Sequence, residues 1–560
     1  MVSVLHDRGN RAFCLPVRNP FMDDTKQTLA EKLFDFSQTY PGGVCVGSLV
    51  LAGSFFNYMN FNSYPLFTPE VGLALLVFIA LSAFAALFYR FMGSLVRLVF
   101  VVLLSFLAID LNFDSQYAFL AAIVPVLIFR DYTLPILGVV SATVLLSSTV
   151  QLAATGDRQI GQVIKAADRN AELSQNAGSD SPALLHIVLD AHIGPQGLVR
   201  SSEEAQTADE MRRFFQENGF RLFGGAYTVH RQTINSIPAV LNNNKGFELY
   251  GSVKGRSVEA NRYFDILQER GYRLSVYETD WLKFCAAREV YACRQWPIAD
   301  PKPLLETGLP SSDRATVLVS QFFNLSTILL SMSVAYDKFA ARAHEHGIRL
   351  PALQLQQKSW TSTLVAAHTF DAMIADLARA EPGDAFFAHI LLPHEPFAFE
   401  ADCGLKSPWD WLDESGEFAE LAQRQSAYAE QLYCTFGKLR RAFDALRSSP
   451  AGANSVIVLH GDHGSRITDI EVRVENADRF SDEDVIATYS TLFAVRAPGM
   501  ESGYDARHIP IHTLLAAFLD SGFTSIDADA AAKDRPKINL EDENWNTVGA
   551  RELPASWVVP

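Results

Sequence analysis

The segment VIVLHGDHGSR at 456–466 runs an apolar stretch of strand length directly into Asp462 and His463, with Gly461 and Gly464 around the pair. An adjacent carboxylate and imidazole reach one cation only where the backbone turns sharply, and glycine permits such a turn. A second apolar run, LLHIVLD at 184–190, ends in Asp190. Together these side chains offer two carboxylates and one imidazole, a donor set suited to a single divalent metal ion, zinc or manganese.

The elements that must position them can be read from the flanking patterns. LLHIVLD is followed by a Gly-containing loop and the helical stretch EEAQTADEMRRFFQENG. Helix-like TSTLVAAHTFDAMIADLARA precedes strand-like AFFAHILL (385–392), and a long helical run over 418–447 precedes SVIVLH (455–460). Helices alternating with fully apolar strands predict an α/β domain with a mostly parallel sheet sandwiched by helices. In such sheets ligands bind beyond the carboxyl ends of the strands, where Asp190, His394, Asp462 and His463 all fall. His389, inside its strand, reads as buried structure, and His508 and His512 in HIPIHTLL as the start of a packed helix.

The rest of the chain sets the compartment. Its 560 residues exclude a single small binding module, and a net charge of −16 without any basic block excludes nucleic acid as a partner. Charged side chains almost vanish between 43 and 156, where apolar runs at 44–61, 71–89, 95–109, 117–129 and 133–153 predict an α-helical membrane anchor of about five transmembrane helices. Lys and Arg occupy the N-terminal tail and the second and fourth loops, which places the N-terminus inside and everything beyond about 155 outside. Cys285, Cys293, Cys403 and Cys434 all lie in that exported part, where disulfides persist. Spacing favours Cys285 with Cys293 and leaves Cys403 with Cys434, although four cysteines allow three connectivities. The uncharged segment 317–336 is long enough to cross a bilayer, but its polar side chains read better as a buried or membrane-touching helix. The expected organisation is a cytoplasmic tail (1–42), a membrane region (43–155), a stalk (156–182), the α/β domain (183–525) and a C-terminal tail (526–560).

The ordered set VLD, HRQTINSIP (230–238), LLPHEPF (391–397) and HGDHG resembles the sulfatase-like branch of the alkaline phosphatase superfamily. Membrane spans followed by an exported domain resemble, more narrowly, the membrane-anchored phosphoethanolamine and phosphoglycerol transferases of bacterial envelopes. The resemblance implies that Asp190, Asp462 and His463 bind metal, that Thr233 is the nucleophile and a further ligand, and that His394 contacts the phosphate or the leaving oxygen. From the residues alone, Ser236 competes with Thr233. His230, Arg231 and Arg466 flank the centre with donors for phosphate oxygens. Two-metal relatives carry an Asp where this chain has Ile390, which favours one ion, and the Cys/Ser-x-Pro-x-Arg motif of true sulfatases is absent. The implied activity is transfer of a phospho-substituent from a phospholipid donor to a lipid or glycan acceptor through a phosphothreonine. The implied location is the bacterial inner membrane, with the catalytic domain periplasmic. The alternatives are a phosphate-ester or sulfate-ester hydrolase of the same superfamily and an inactive envelope scaffold.

Overall fold

The computed structural model describes residues 28–112, 132–155, 162–165, 181–244, 256–331, 360–414, 419–532 and 537–557, apart from 92, 199 and 328, and isolated positions at 126–128 and 335–343. The N-terminal part is helical: α1 (Leu29–Ser37), α2 (Tyr40–Phe61), α3 (Pro69–Phe91), α4 (Ser94–Asp110) and α5 (Thr133–Thr155). Thr28 and Glu31 start α1 with a reciprocal capping box. Among the described residues three helices are long and apolar enough to cross a membrane: Tyr40–Phe61, Pro69–Phe91 and Thr133–Gln151. The expected run 95–109 is the 17-residue α4, which falls short of the length that spans a bilayer, and the run 117–129 falls almost wholly outside the described residues.

The α/β domain is built on a nine-stranded sheet, β1 (Gln162–Lys165), β2 (Leu184–Leu189), β3 (Arg221–Phe223), β4 (Arg273–Thr279), β5 (Val290–Trp296), β6 (Asp384–Ile390), β7 (Val456–Gly461), β8 (Phe493–Arg496) and β9 (Gly503–Asp505), in the order β1-β5-β4-β6-β2-β7-β8-β3-β9. The five central strands β5, β4, β6, β2 and β7 are parallel. β2 and β7 are buried along their whole length, which is why both are unbroken apolar runs in the sequence. Leu185, Ile187 and Leu189 face a core with the helices α6 (Ser202–Glu217), α9 (Ser362–Leu377) and α10 (Leu421–Arg447). Leu184 and Val188 face the opposite core, with α7 (Thr233–Leu241) and α11 (Ile511–Asp520). Leu189 pairs with Ile390 on one side and Gly461 on the other, so Asp190 and Asp462 leave adjacent strands at one level.

Three segments differ from the sequence reading or sharpen it. The stalk contributes β1, which pairs antiparallel with β5 at the sheet edge. The C-terminal tail is ordered as a hairpin of β10 (Lys537–Glu541) and β11 (Thr547–Glu552), whose Ile538 is buried against Tyr227, Val485 and Tyr489. Strands this short carry little periodicity, and tertiary packing decides them. The uncharged segment begins as α8 (Ser311–Phe323), which packs on α2 and α3 rather than crossing by itself. Cys285 is bonded to Cys293 and Cys403 to Cys434, the pairing that spacing favoured.

Candidate active site

Asp190 and Asp462 are fully buried at the ends of β2 and β7. Ala191 follows Asp190 in the left-handed region at φ 60°, a conformation an Ala adopts only when its surroundings impose it. Its N–H donates to Asp462 Oδ1 at 3.0 Å, and its carbonyl accepts from the Tyr428 hydroxyl at 2.8 Å. The backbone thus ties the two carboxylate-bearing turns together. The flanking glycines serve close approach: a Cβ on Gly464 would meet the Ala487 carbonyl oxygen at 2.1 Å, and one on Gly461 the Thr491 Oγ1 at 2.3 Å.

His463 Nδ1 lies 2.8 Å from the Gly464 carbonyl oxygen, the contact of an N–H donor, which leaves Nε2 as the acceptor. That nitrogen stands 3.3 Å from Asp462 Oδ2 and 3.5 Å from Asp190 Oδ1. Burial and Arg466 hold the His463 imidazole well below its ordinary pKa, hence neutral. Burial and the Asp190 charge push Asp462 up to about 7. Burial opposes ionisation of Asp190 too, but His394, His389 and His463 outweigh it and hold that carboxyl below the usual range.

These residues fit a metal ion on their own chemistry. One donor atom from each of Asp190, Asp462 and His463 lies within 4.8 Å of the others. Asp190 Oδ1 and Asp462 Oδ2 are buried without a hydrogen-bond partner. Buried oxygen and nitrogen lone pairs that face one another without protons between them are relieved by a cation.

Thr233 is the first residue of α7, with its hydroxyl 3.4 Å from both Asp190 Oδ2 and His463 Nε2. The competing hydroxyl of Ser236 is committed elsewhere, donating to the Asp462 carbonyl oxygen at 2.5 Å and lying 2.8 Å from Thr228 Oγ1. His394 sits in the loop after β6, its Nδ1 3.0 Å from the Glu395 carbonyl oxygen and its Nε2 3.9 Å from Asp190 Oδ1. Burial lowers its basicity, but Asp190 and Glu395 outweigh that and hold the imidazole above its ordinary value. Arg466, in the left-handed region at φ 55°, reaches His394 Nε2 at 3.2 Å and is held from behind by Glu414 at 3.0 Å and by Gln232 at 3.3 Å. Thr233 and His394 therefore gather on Asp190, and Arg466 reaches His394.

His230 and Arg231 do not join them, which corrects the reading of both as phosphate donors. Arg231 is buried, with its guanidinium on Glu471 at 2.7 Å and on the Val472 carbonyl oxygen at 3.1 Å. His230 Nδ1 lies 3.1 Å from Glu541 Oε1, and its Nε2 faces the Asn539 amide at 3.3 Å. The loop before Thr233 turns these side chains away, His230 onto the C-terminal hairpin and Arg231 onto Glu471 and Val472. Glu541 is fully buried and also accepts from Asn235 at 3.0 Å, with Arg231 Nε 3.9 Å from its other oxygen. One carboxylate from the far end of the chain thus fastens the residues on both sides of Thr233. Substitution Glu541→Gln should slow turnover by about tenfold or more, since a buried charge-assisted bond contributes ~1.5–3 kcal/mol. Retained metal content with lowered kcat is the measurement that checks it, and unchanged kcat would remove Glu541 from this role.

His389 is closer to the chemistry than its strand position suggested, with Nε2 3.2 Å from Asp190 Oδ2. The alternation along β6 carries the signal, because His389 lies opposite Val188, two residues before Asp190 on the same face. Ile390 is in the apolar core, so no carboxylate stands there for a second metal.

The fold and site define a chain with apolar N-terminal helices followed by an α/β domain that carries a buried Asp-Asp-His-Thr centre at the carboxyl ends of parallel strands. No protein-family model matches the sequence, and no curated protein matches it. Among solved structures, it is similar to the C-terminal periplasmic domain of EcEptC from Escherichia coli (11% identity, 68% of this chain and 96% of that chain, TM-score 0.41). It is also similar to the phosphonate monoester hydrolase of Agrobacterium radiobacter (13% identity, 65% and 81%, TM-score 0.37) and to BT1596, a 2-O GAG sulfatase (14% identity, 65% and 78%, TM-score 0.36). These are likenesses of fold at low identity.

Proposed function

We propose that this protein is a membrane-anchored phosphotransferase that moves the phospho-substituent of a phospholipid head group to an acceptor hydroxyl in the bacterial envelope. The observation that carries the reading is the hydroxyl of Thr233 within hydrogen-bond reach of two residues of a buried Asp-Asp-His set, while Ser236 is engaged elsewhere. Asp190, Asp462, His463 and the Thr233 oxygen would hold a divalent ion, zinc or manganese, which supplies Lewis acidity and charge neutralisation when bound.

The remaining chemistry belongs to this chain's own groups. Thr233 Oγ1 attacks the phosphorus of the head group as its proton passes to Asp190 Oδ2, the oxygen it faces, and the bond from phosphorus to the diacylglycerol oxygen breaks. His394, whose basicity Asp190 and Glu395 raise, gives a proton from Nε2 to that oxygen. Arg466, fixed by Glu414 and Gln232, donates to the phosphoryl oxygens. Thr233 is the first residue of α7, where the helix dipole favours negative charge. In the second half-reaction an acceptor hydroxyl loses its proton to His394 and displaces Thr233 from the same phosphorus, and Thr233 recovers its proton from Asp190. An anchor that keeps the domain at the bilayer suits a lipid donor.

Incubation of the purified full-length chain with phosphatidylethanolamine or phosphatidylglycerol labelled in the head group tests this. Diacylglycerol should be released while the label stays on a peptide containing Thr233. Label released as free head-group phosphate, with water as the only acceptor under all conditions, would instead make the protein a hydrolase. Mass spectrometry of envelope lipids and glycans with and without the protein then identifies the acceptor.

A further inference from the structure

Helix α8 belongs to the α/β domain in sequence, yet it runs down the side of the membrane helices. Arg314 pairs with Glu70 at the start of α3, with Arg314 Nη2 3.0 Å from Glu70 Oε2. Eight positions further along each helix, the Phe322 ring lies 5.7 Å from the Phe78 ring, and it also meets Phe55 of α2 at 5.3 Å. Equal spacing between the two contacts means that α8 and α3 descend side by side for about 12 Å at 1.5 Å per residue. Val317, Leu318 and Phe322 are buried along this seam.

The depth follows from the length of α3. Its 23 residues span about 34 Å, against ~30 Å of hydrocarbon in a bilayer. Even if all the surplus stood outside, Phe78 would lie about 10 Å below the outer boundary. Phe322, in contact with it, lies at the same depth. After Phe323 the chain turns, and Ser326 Oγ and Thr327 Oγ1 donate to the two Asp110 oxygens at 2.8 and 2.6 Å. Asp110 ends α4, whose 17 residues reach only about 25 Å. A carboxylate at that level needs protein donors, and the turn supplies two.

We infer that α8 and the turn at 324–327 form a re-entrant element seated in the outer half of the bilayer, against phospholipid acyl chains. It enters from outside and covers the short end of α4, and the chain is again in the α/β core at Trp360, on the side from which α8 entered; this also explains an uncharged segment studded with serines and threonines. The inference rests on α2 and α3 crossing a membrane and is independent of the reaction.

Nitroxide labelling of the full-length chain tests it, in a background with Cys14→Ser and Cys45→Ser, reconstituted in phosphatidylethanolamine and phosphatidylglycerol vesicles. Labels go at Leu325→Cys in the turn, Leu76→Cys on the exposed face of α3 and Ser312→Cys at the outer start of α8, all exposed positions that tolerate replacement. The label at 325 should match the label at 76, colliding with oxygen and losing collisions with a water-soluble nickel chelate, while the label at 312 stays open to the chelate. Chelate access at 325 equal to that at 312, with 76 still protected, would overturn the re-entrant element. Chelate access at 76 would overturn the membrane placement of α3 itself and the element with it.

Discussion

Thr233→Ala protein should form no covalent adduct with a labelled phospholipid head group and should lose turnover by on the order of 10⁴-fold or more, the scale of removing a nucleophile that acts together with its base and electrostatic partners. The substitution removes one hydroxyl and leaves Asp190, Asp462 and His463 in place, so metal content should fall far less than activity. Thr233 is buried at the start of α7, and Ala is tolerated at a first helical position. The informative companion is Ser236→Ala. Its hydroxyl holds the Asp462 carbonyl oxygen and Thr228, so that variant should lose stability while still forming the adduct at Thr233. An adduct on Ser236 in the parent protein, or parental activity in Thr233→Ala, would place the nucleophile elsewhere.

Asp462→Asn should empty the metal site. Asn keeps the shape that receives the Ala191 and His463 N–H groups at Oδ1. It loses the charge at Oδ2, the oxygen left without a hydrogen-bond partner beside His463 Nε2. Loss of even an outer-shell partner costs about 10–100-fold in metal affinity, so loss of a ligand's charge should exceed about 100-fold. Elemental analysis of the purified variant after dialysis against a weak chelator reads the result, with turnover falling in parallel. Parental stoichiometry in Asp462→Asn would move the ion to other residues.

The parts of this site that were legible in the sequence are those whose neighbours are fully buried strands. LLHIVLD and SVIVLH each announce a central parallel strand, and the polar residues that end them have nowhere to point but the open end of the sheet. Thr233 and Ser236 are different, because both sit on one short helix and only the hydrogen bonds of the folded chain separate them. His230 and Arg231 show that sequence adjacency to the proposed nucleophile does not fix direction, since a turn before α7 sends them to Glu471 and Glu541. Glu541 itself carried no local signal; it lies in the five-residue strand KINLE, more than 300 positions from its partners. In the N-terminal part, charge spacing located α2, α3, α4 and α5, whereas the descent of α8 depends on contacts between distant segments.

The place of Glu541 in the chain also bears on when the protein can act during its own biogenesis. In the proposed location synthesis and export proceed from the N-terminus, so the apolar helices, the sheet and every proposed ligand emerge before β10. Until that hairpin has crossed and folded back, Asn235 and His230 lack their shared acceptor, and the segment carrying Thr233 has no anchor on that side. A protein still in the translocation channel would thus hold its ligand set together but its attacking hydroxyl unsecured. On the proposed function, the last stretch to be delivered is the one that arms the site, which would tie reactivity toward membrane lipids to completed export.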